Sequence, residues 1–168
     1  MKTGAGAHAC PAGGSRGLTD GEKAMVASVF GSAIDPSPVT IRRRKWFPLQ
    51  PGNTVMAPCG HIHFPADHAL YCDDFATGTL SARGLFIHEM THVWQAQQRG
   101  KYWLVLMRHP FCRYDYTIRP GQPLHSYGIE QQAEIVRHVF LLRKGSALRG
   151  APPLHQLESI LPFKPPHA

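Results

Sequence analysis

The sequence lacks what a membrane anchor or a cysteine-built zinc module requires. No stretch approaches the roughly 18 consecutive apolar residues that span a bilayer, although 43% of its 168 residues are hydrophobic. The four cysteines, Cys10, Cys59, Cys72 and Cys112, are scattered and form no C-x-x-C pair. That spacing excludes a cysteine-rich zinc knuckle. A chain of this length can bury an ordinary core without covalent staples, so the four read as free thiols. Residues 1–17, rich in Gly and Ala, contain no apolar segment of the secretory-signal kind. They read as a loose tail on a protein that is cytoplasmic as synthesised, with any export using a route other than signal-peptide cleavage. No internal repeat is visible, which excludes a solenoid.

Acidic residues are also few, 11 against 18 lysines and arginines, for a formal charge of +7. The densest basic run is Arg42-Arg43-Arg44-Lys45, followed at once by Trp46 and Phe47. It reads first as a solvated strand whose long side chains blunt a sheet edge. Its functional alternative is a contact for an anionic polymer such as a glycan, a lipid headgroup or a phosphate. No helix-turn-helix, zinc finger or RNA-binding pattern accompanies it, so specific nucleic-acid binding is not expected.

Local patterns predict an α+β domain over residues 18–150, followed by a proline-rich segment, 151–168, packed on it or trailing from it. Thr19 with Glu22 forms a capping box ahead of a helix that Gly31 ends. Residues 39–47 read as a strand. Two short strands, 54–57 and 61–64, are split by Pro58-Cys59-Gly60 in a hairpin. A loop over 65–79 leads to the strongest helix, 80–98, closed by Gly100. Residues 102–107 fit helix or strand, and 114–118 read as extended. A second strong helix covers about 128–143, and a short one lies near 154–161.

On the first strong helix stands His88-Glu89-Met90-Thr91-His92, an H-E-x-x-H sequence. Histidines at i and i+4 lie one turn apart on a single helix face, so both imidazoles can reach one ion. Glu89 projects from the neighbouring edge, where it can take a proton from water activated by that ion. Phe86, Met90 and Val93 form an apolar stripe that anchors the helix. A catalytic zinc takes three protein ligands and keeps a fourth position open. The second strong helix offers the third in Glu130-Gln131-Gln132-Ala133-Glu134. The chain has only five glutamates, at 22, 89, 130, 134 and 158, and three fall in these two motifs. Glu130 and Glu134 are again one turn apart, so one can bind metal while the other braces a histidine through its second ring nitrogen.

The stretch from Gly84 to Gln95, with its H-E-x-x-H-V-x-Q pattern, resembles the active helix of the gluzincin branch of zinc metallopeptidases, in particular its small bacterial domains. It is also similar to a group of bacterial proteins described as Vgr-related. The resemblance covers roughly residues 54–144 and implies a zincin-like (minigluzincin) fold with a short edge strand, for which 61–64 is the candidate. In such proteins the downstream helix carries E-x-x-x-D or E-x-x-x-E. By that pattern Glu130 is the third zinc ligand, and Glu134, where Asp is commoner, braces His88. The Vgr likeness implies a link to type VI secretion.

The expected activity is therefore zinc-dependent hydrolysis of an amide bond in a peptide, a protein or peptidoglycan, with Glu89 as general base. The alternative is a non-catalytic zinc-binding accessory or adaptor of a type VI system that keeps the same fold. Tyr127 is the first candidate to stabilise the oxyanion, with Tyr114, Tyr116 and His125 as others. His61 and His63 read as a polar strand face lining the substrate groove, and Trp94 as support beneath the active helix. Asp73 and Asp74 could cap structure or touch substrate. His109, His138 and His155 read as ordinary surface or core histidines.

Overall fold

A computed structural model describes residues 9–109 and 111–164. Helix α1 (Asp20–Phe30) starts at the expected capping box: the Thr19 hydroxyl accepts from the Glu22 N–H, and the Glu22 carboxylate accepts from the Thr19 N–H. Glu22 is fully buried and also accepts two 2.8 Å bonds from the Arg16 guanidinium and one from the Phe75 N–H. One carboxylate thus joins the first strand, the first helix and the turn that precedes the central helix.

The sheet has three short strands, β1 (Ser15–Gly17), β2 (Thr40–Arg42) and β3 (Ile62–His63), in the order β1-β2-β3. β1 pairs antiparallel with β2, Ser15 opposite Arg42, and β2 pairs parallel with β3, Ile41 opposite Ile62. Of the expected tail, residues 1–8 lie outside the described residues, whereas Cys10 is buried and 15–17 form β1.

The expected strand over 39–47 shrinks to three residues because the arginines beyond it bind carbonyls elsewhere. Arg43 donates to Ala66 and Cys10, and Arg44 to Gly13. The expected hairpin is reduced to a single antiparallel bridge between Met56 and His63. Residues 114–118 are irregular and not extended into a sheet; side chains hold them instead, with Gln131 donating to the Asp115 carbonyl.

Helices α2 (Leu80–Arg99) and α4 (Ile129–Arg143) form the centre. Phe86, Ile87, Met90 and Val93 of the first and Ala133, Ile135, Val136 and Val139 of the second are fully buried. Gly84 lets the pair approach closely, since a Cβ there would lie 3.1 Å from Leu141 Cδ2 and 3.3 Å from Arg137 Nε. On its other side α2 meets β3 and the 3-10 turn at Phe75–Thr77, where Phe75 stacks on Phe86 and packs on Phe64. Residues Trp103–Met107 are helical (α3), as is Leu154–Ser159 (α5). Of the proline-rich segment, the described residues 151–164 fold back through buried Leu157 and Phe163, the latter against Phe30 and Trp94. No helix among the described residues is long and apolar enough to cross a membrane.

Candidate metal centre

The close approach of α2 and α4 brings three donors together. His88 Nε2 lies 3.2 Å from Glu130 Oε2, and His92 Nε2 lies 3.1 Å from the same oxygen. All three side chains are buried. Donors bound tetrahedrally at ~2.0–2.1 Å stand roughly 3.3 Å apart. The observed separations therefore match a set arranged around one small cation. His88, His92 and Glu130 together form a group that can hold a metal ion.

The opposite ring nitrogens are occupied. His88 Nδ1 is 2.8 Å from Glu134 Oε1, and His92 Nδ1 is 2.8 Å from Gln95 Oε1. The Gln95 amide cannot be reversed, because its Nε2 donates to the Ile129 carbonyl and to Gln132 Oε1, both at 3.0 Å. Each Nδ1 must then carry the proton, leaving the Nε2 lone pairs directed at the common point.

The electrostatics of the cluster follow from burial and pairing. Burial opposes ionisation of Glu130, but bonds from both histidines and the nearby Arg108 cation overcome it and hold the carboxyl well below its ordinary range. Burial likewise opposes a charged His88, yet its contacts with Glu130 and Glu134 raise it to about 9. Arg108 Nε reaches Glu130 Oε1 at 3.2 Å. Glu89 is buried, and its Oε2 has no hydrogen-bond partner among the described residues. An unsatisfied buried carboxylate oxygen beside three converged donors is costly unless a ligand or water meets it.

The tyrosine that reaches this cluster is Tyr114, whose ring lies over His88 with 6.2 Å between centroids and 21° between planes. The hydroxyl of Tyr127 instead accepts from the Arg119 N–H at 3.1 Å, which commits it to the chain ahead of α4. Tyr116 is bonded to His138. Of the other candidates, His63 is buried and its ionisation is suppressed to about 4, burial being the main cause, while His61 bonds the Thr40 hydroxyl. Neither histidine joins the cluster. Asp73 accepts from the Cys10 N–H, and Asp74 from the Ala76 N–H and the Thr19 hydroxyl, so both serve structure. The four cysteines are unpaired.

With this geometry in place, a solved structure resolves the ancestry. The effector domain of Pseudomonas aeruginosa VgrG2b matches the chain with a TM-score of 0.70 and 34% identity, covering 94% of this chain and 88% of that domain. The chain belongs to the VgrG2b effector-domain family. It is also 41% identical over 133 residues to the type VI secretion system spike protein VgrG2b of Pseudomonas aeruginosa PAO1. That match takes in 75% of this chain but only 13% of the spike protein, so the chain spans a small fraction of the relative's length. No family model matches.

Within this VgrG2b-effector relative, residue patterns missed three participants. Gln95 braces His92, Gln132 orients Gln95, and Arg108 faces Glu130. Gln95 sits three residues beyond His92, the spacing at which helix side chains meet, and that was the available signal. Arg108 follows a five-residue helix whose direction no sequence pattern reveals.

Proposed function

We propose that this chain is a zinc-dependent amide-bond hydrolase on a zincin-like, gluzincin-type fold, serving as the effector module of a type VI secretion spike. Export would then occur with that apparatus. The observation that carries this reading is the convergence of His88 Nε2, His92 Nε2 and Glu130 Oε2 beside Glu89, whose Oε2 has no hydrogen-bond partner among the described residues.

The donor set suits zinc: two imidazoles oriented through Nδ1 and one carboxylate, at separations that fit tetrahedral bonding. When bound, zinc acidifies water and polarises the scissile carbonyl. Glu89 accepts the proton of the attacking water and delivers it to the amine nitrogen as the C–N bond breaks, leaving a carboxylate and an amine. Arg108, through N–H groups other than the one facing Glu130, and Tyr114 would donate to the developing oxyanion, in the role first expected of Tyr127. Glu134 and Gln95 hold the two imidazoles in orientation.

Purified protein should contain about one zinc per chain, and His92→Ala should lose it. Glu89→Gln should keep the metal while lowering hydrolysis of a denatured-protein or peptide-library substrate by about 10²-fold or more. Hydrolysis by Glu89→Gln at the wild-type rate would sink the mechanism. The second reading is a non-catalytic zinc-binding adaptor of a type VI system. It is favoured by the relatives' names, which specify spike and effector but no reaction. Zinc binding with no Glu89-dependent turnover on any polypeptide would establish it.

A further inference from the structure

An apolar cavity of about 500 Å³ opens directly beside the metal centre, with His92 and Ile129 in its lining. One wall is the loop carrying Trp46, Phe47 and Met56; the other is α3 with Leu104 and Val105. Trp46, Phe47 and Val105 remain 40%, 37% and 38% exposed. Burying such side chains is worth roughly 25 cal/mol per Å², so a cluster left in water beside a reactive centre points to a ligand that covers it.

The lining also says which ligand. Arg108 is the one lysine or arginine on the cavity wall among the described residues, and it already faces Glu130. The basic run that suggested an anionic polymer is largely occupied by other bonds. Arg43 donates to two carbonyls and lies over the Tyr71 ring, and Arg44 donates to Gly13. Peptidoglycan offers sugars, methyl-sized side chains and carboxylates, for which this surface has few partners. A leucine, methionine or phenylalanine side chain fits its apolar walls.

Resting on the hydrolase reading above, we propose that this cavity is the specificity site and takes a large apolar side chain flanking the cleaved bond. The substrate class is then flexible polypeptide and not peptidoglycan.

Two measurements test this, one of them independent of turnover. In metal-free protein, titration with short peptides followed by Trp46 fluorescence (a Trp46→Phe variant serving as blank) should show a Phe-centred peptide binding at least tenfold tighter than its Asp-centred counterpart. Val105→Asp and Phe47→Asp alter half-exposed positions and should erase that difference without changing the melting temperature or zinc uptake. In zinc-loaded protein the same variants should lower kcat/KM about tenfold on Leu- or Phe-containing peptides. Equal binding of both peptides overturns the proposal, as does cleavage of purified peptidoglycan sacculi with no cleavage of apolar peptides. A change in oligomeric mass caused by Val105→Asp, with peptide binding intact, reassigns the cavity to self-association and also overturns it. Failure of the hydrolase reading shows separately, as undiminished turnover in Glu89→Gln.

Discussion

Both imidazoles of the centre are steered from behind, one by a carboxylate and the other by an amide whose own orientation is fixed. The second arrangement is the more demanding, because Gln95 must satisfy His92, the Ile129 carbonyl and Gln132 together. Replacing it by leucine keeps the volume but removes the acceptor at His92 Nδ1 and leaves the Ile129 carbonyl without this donor. Zinc affinity should fall 10- to 100-fold in a competition titration against a chelating dye, and Gln95→Glu should recover part of it. Wild-type affinity in the leucine variant would show that the brace does nothing. At this scale the sequence was most legible where chemistry repeats with a helix turn. His88, Glu89, His92, Glu130 and Glu134 all stand on strongly patterned helices, and the carboxylate expected to brace His88 does contact it. Tyrosines were not legible, because Tyr114 lies in an irregular stretch whose position depends on distant packing. Tyr127 is near α4 in the chain, but its hydroxyl is bonded within the segment it closes.

Between elements, the distance from α2 to α4 governs the centre, and Gly84 marks a contact between them with little room for a side chain. A leucine there would meet Leu141 and Arg137 and wedge the helices apart. Gly84→Leu should cost about 1–3 kcal/mol in urea denaturation. It should also weaken zinc binding, since Glu130 would move away from the histidines although no ligand has changed. Stability loss with unchanged zinc affinity would disprove the coupling. The two long helices were readable within a residue or two, their apolar stripes and terminal glycines being strong local signals. The sheet is smaller than the residue pattern predicts, for the opposite reason. Alternation over 39–47 gave a plausible strand, but pairing is a long-range property. β2 finds its partners at residues 15–17 and 62–63, and nothing in either segment's composition reveals the other.

Taken whole, the described residues share a main apolar core through α1, the sheet, α2 and α4, with a smaller cluster of Ala96, Leu104 and Ile129 beside it, so the fold is expected to stand without a bound metal. Chelation should therefore lower the melting temperature without unfolding the protein. The size of that decrease should depend on pH in a definite direction. His88, raised to about 9 in the metal-free fold, stabilises that fold fully below its unfolded value near 6.5, and the contribution fades as pH rises through 9. The same proton must leave before zinc binds. Raising pH from 6.5 to 9 thus weakens the metal-free form and strengthens zinc binding, so the gap in melting temperature between loaded and chelated protein should widen. Calorimetry across that range checks the sign; a gap that narrows would refute it.

The donors also arrive from unequal distances along the chain. Two are four residues apart, while the third is separated from them by 42 and 38 residues. A partly folded chain can present only the neighbouring pair of imidazoles, a weak and promiscuous trap for ions. Full coordination comes into being when the two long helices meet. Metal occupancy would therefore record that the polypeptide has finished folding, and a chain that crossed a barrier unfolded would have to acquire its ion on the far side.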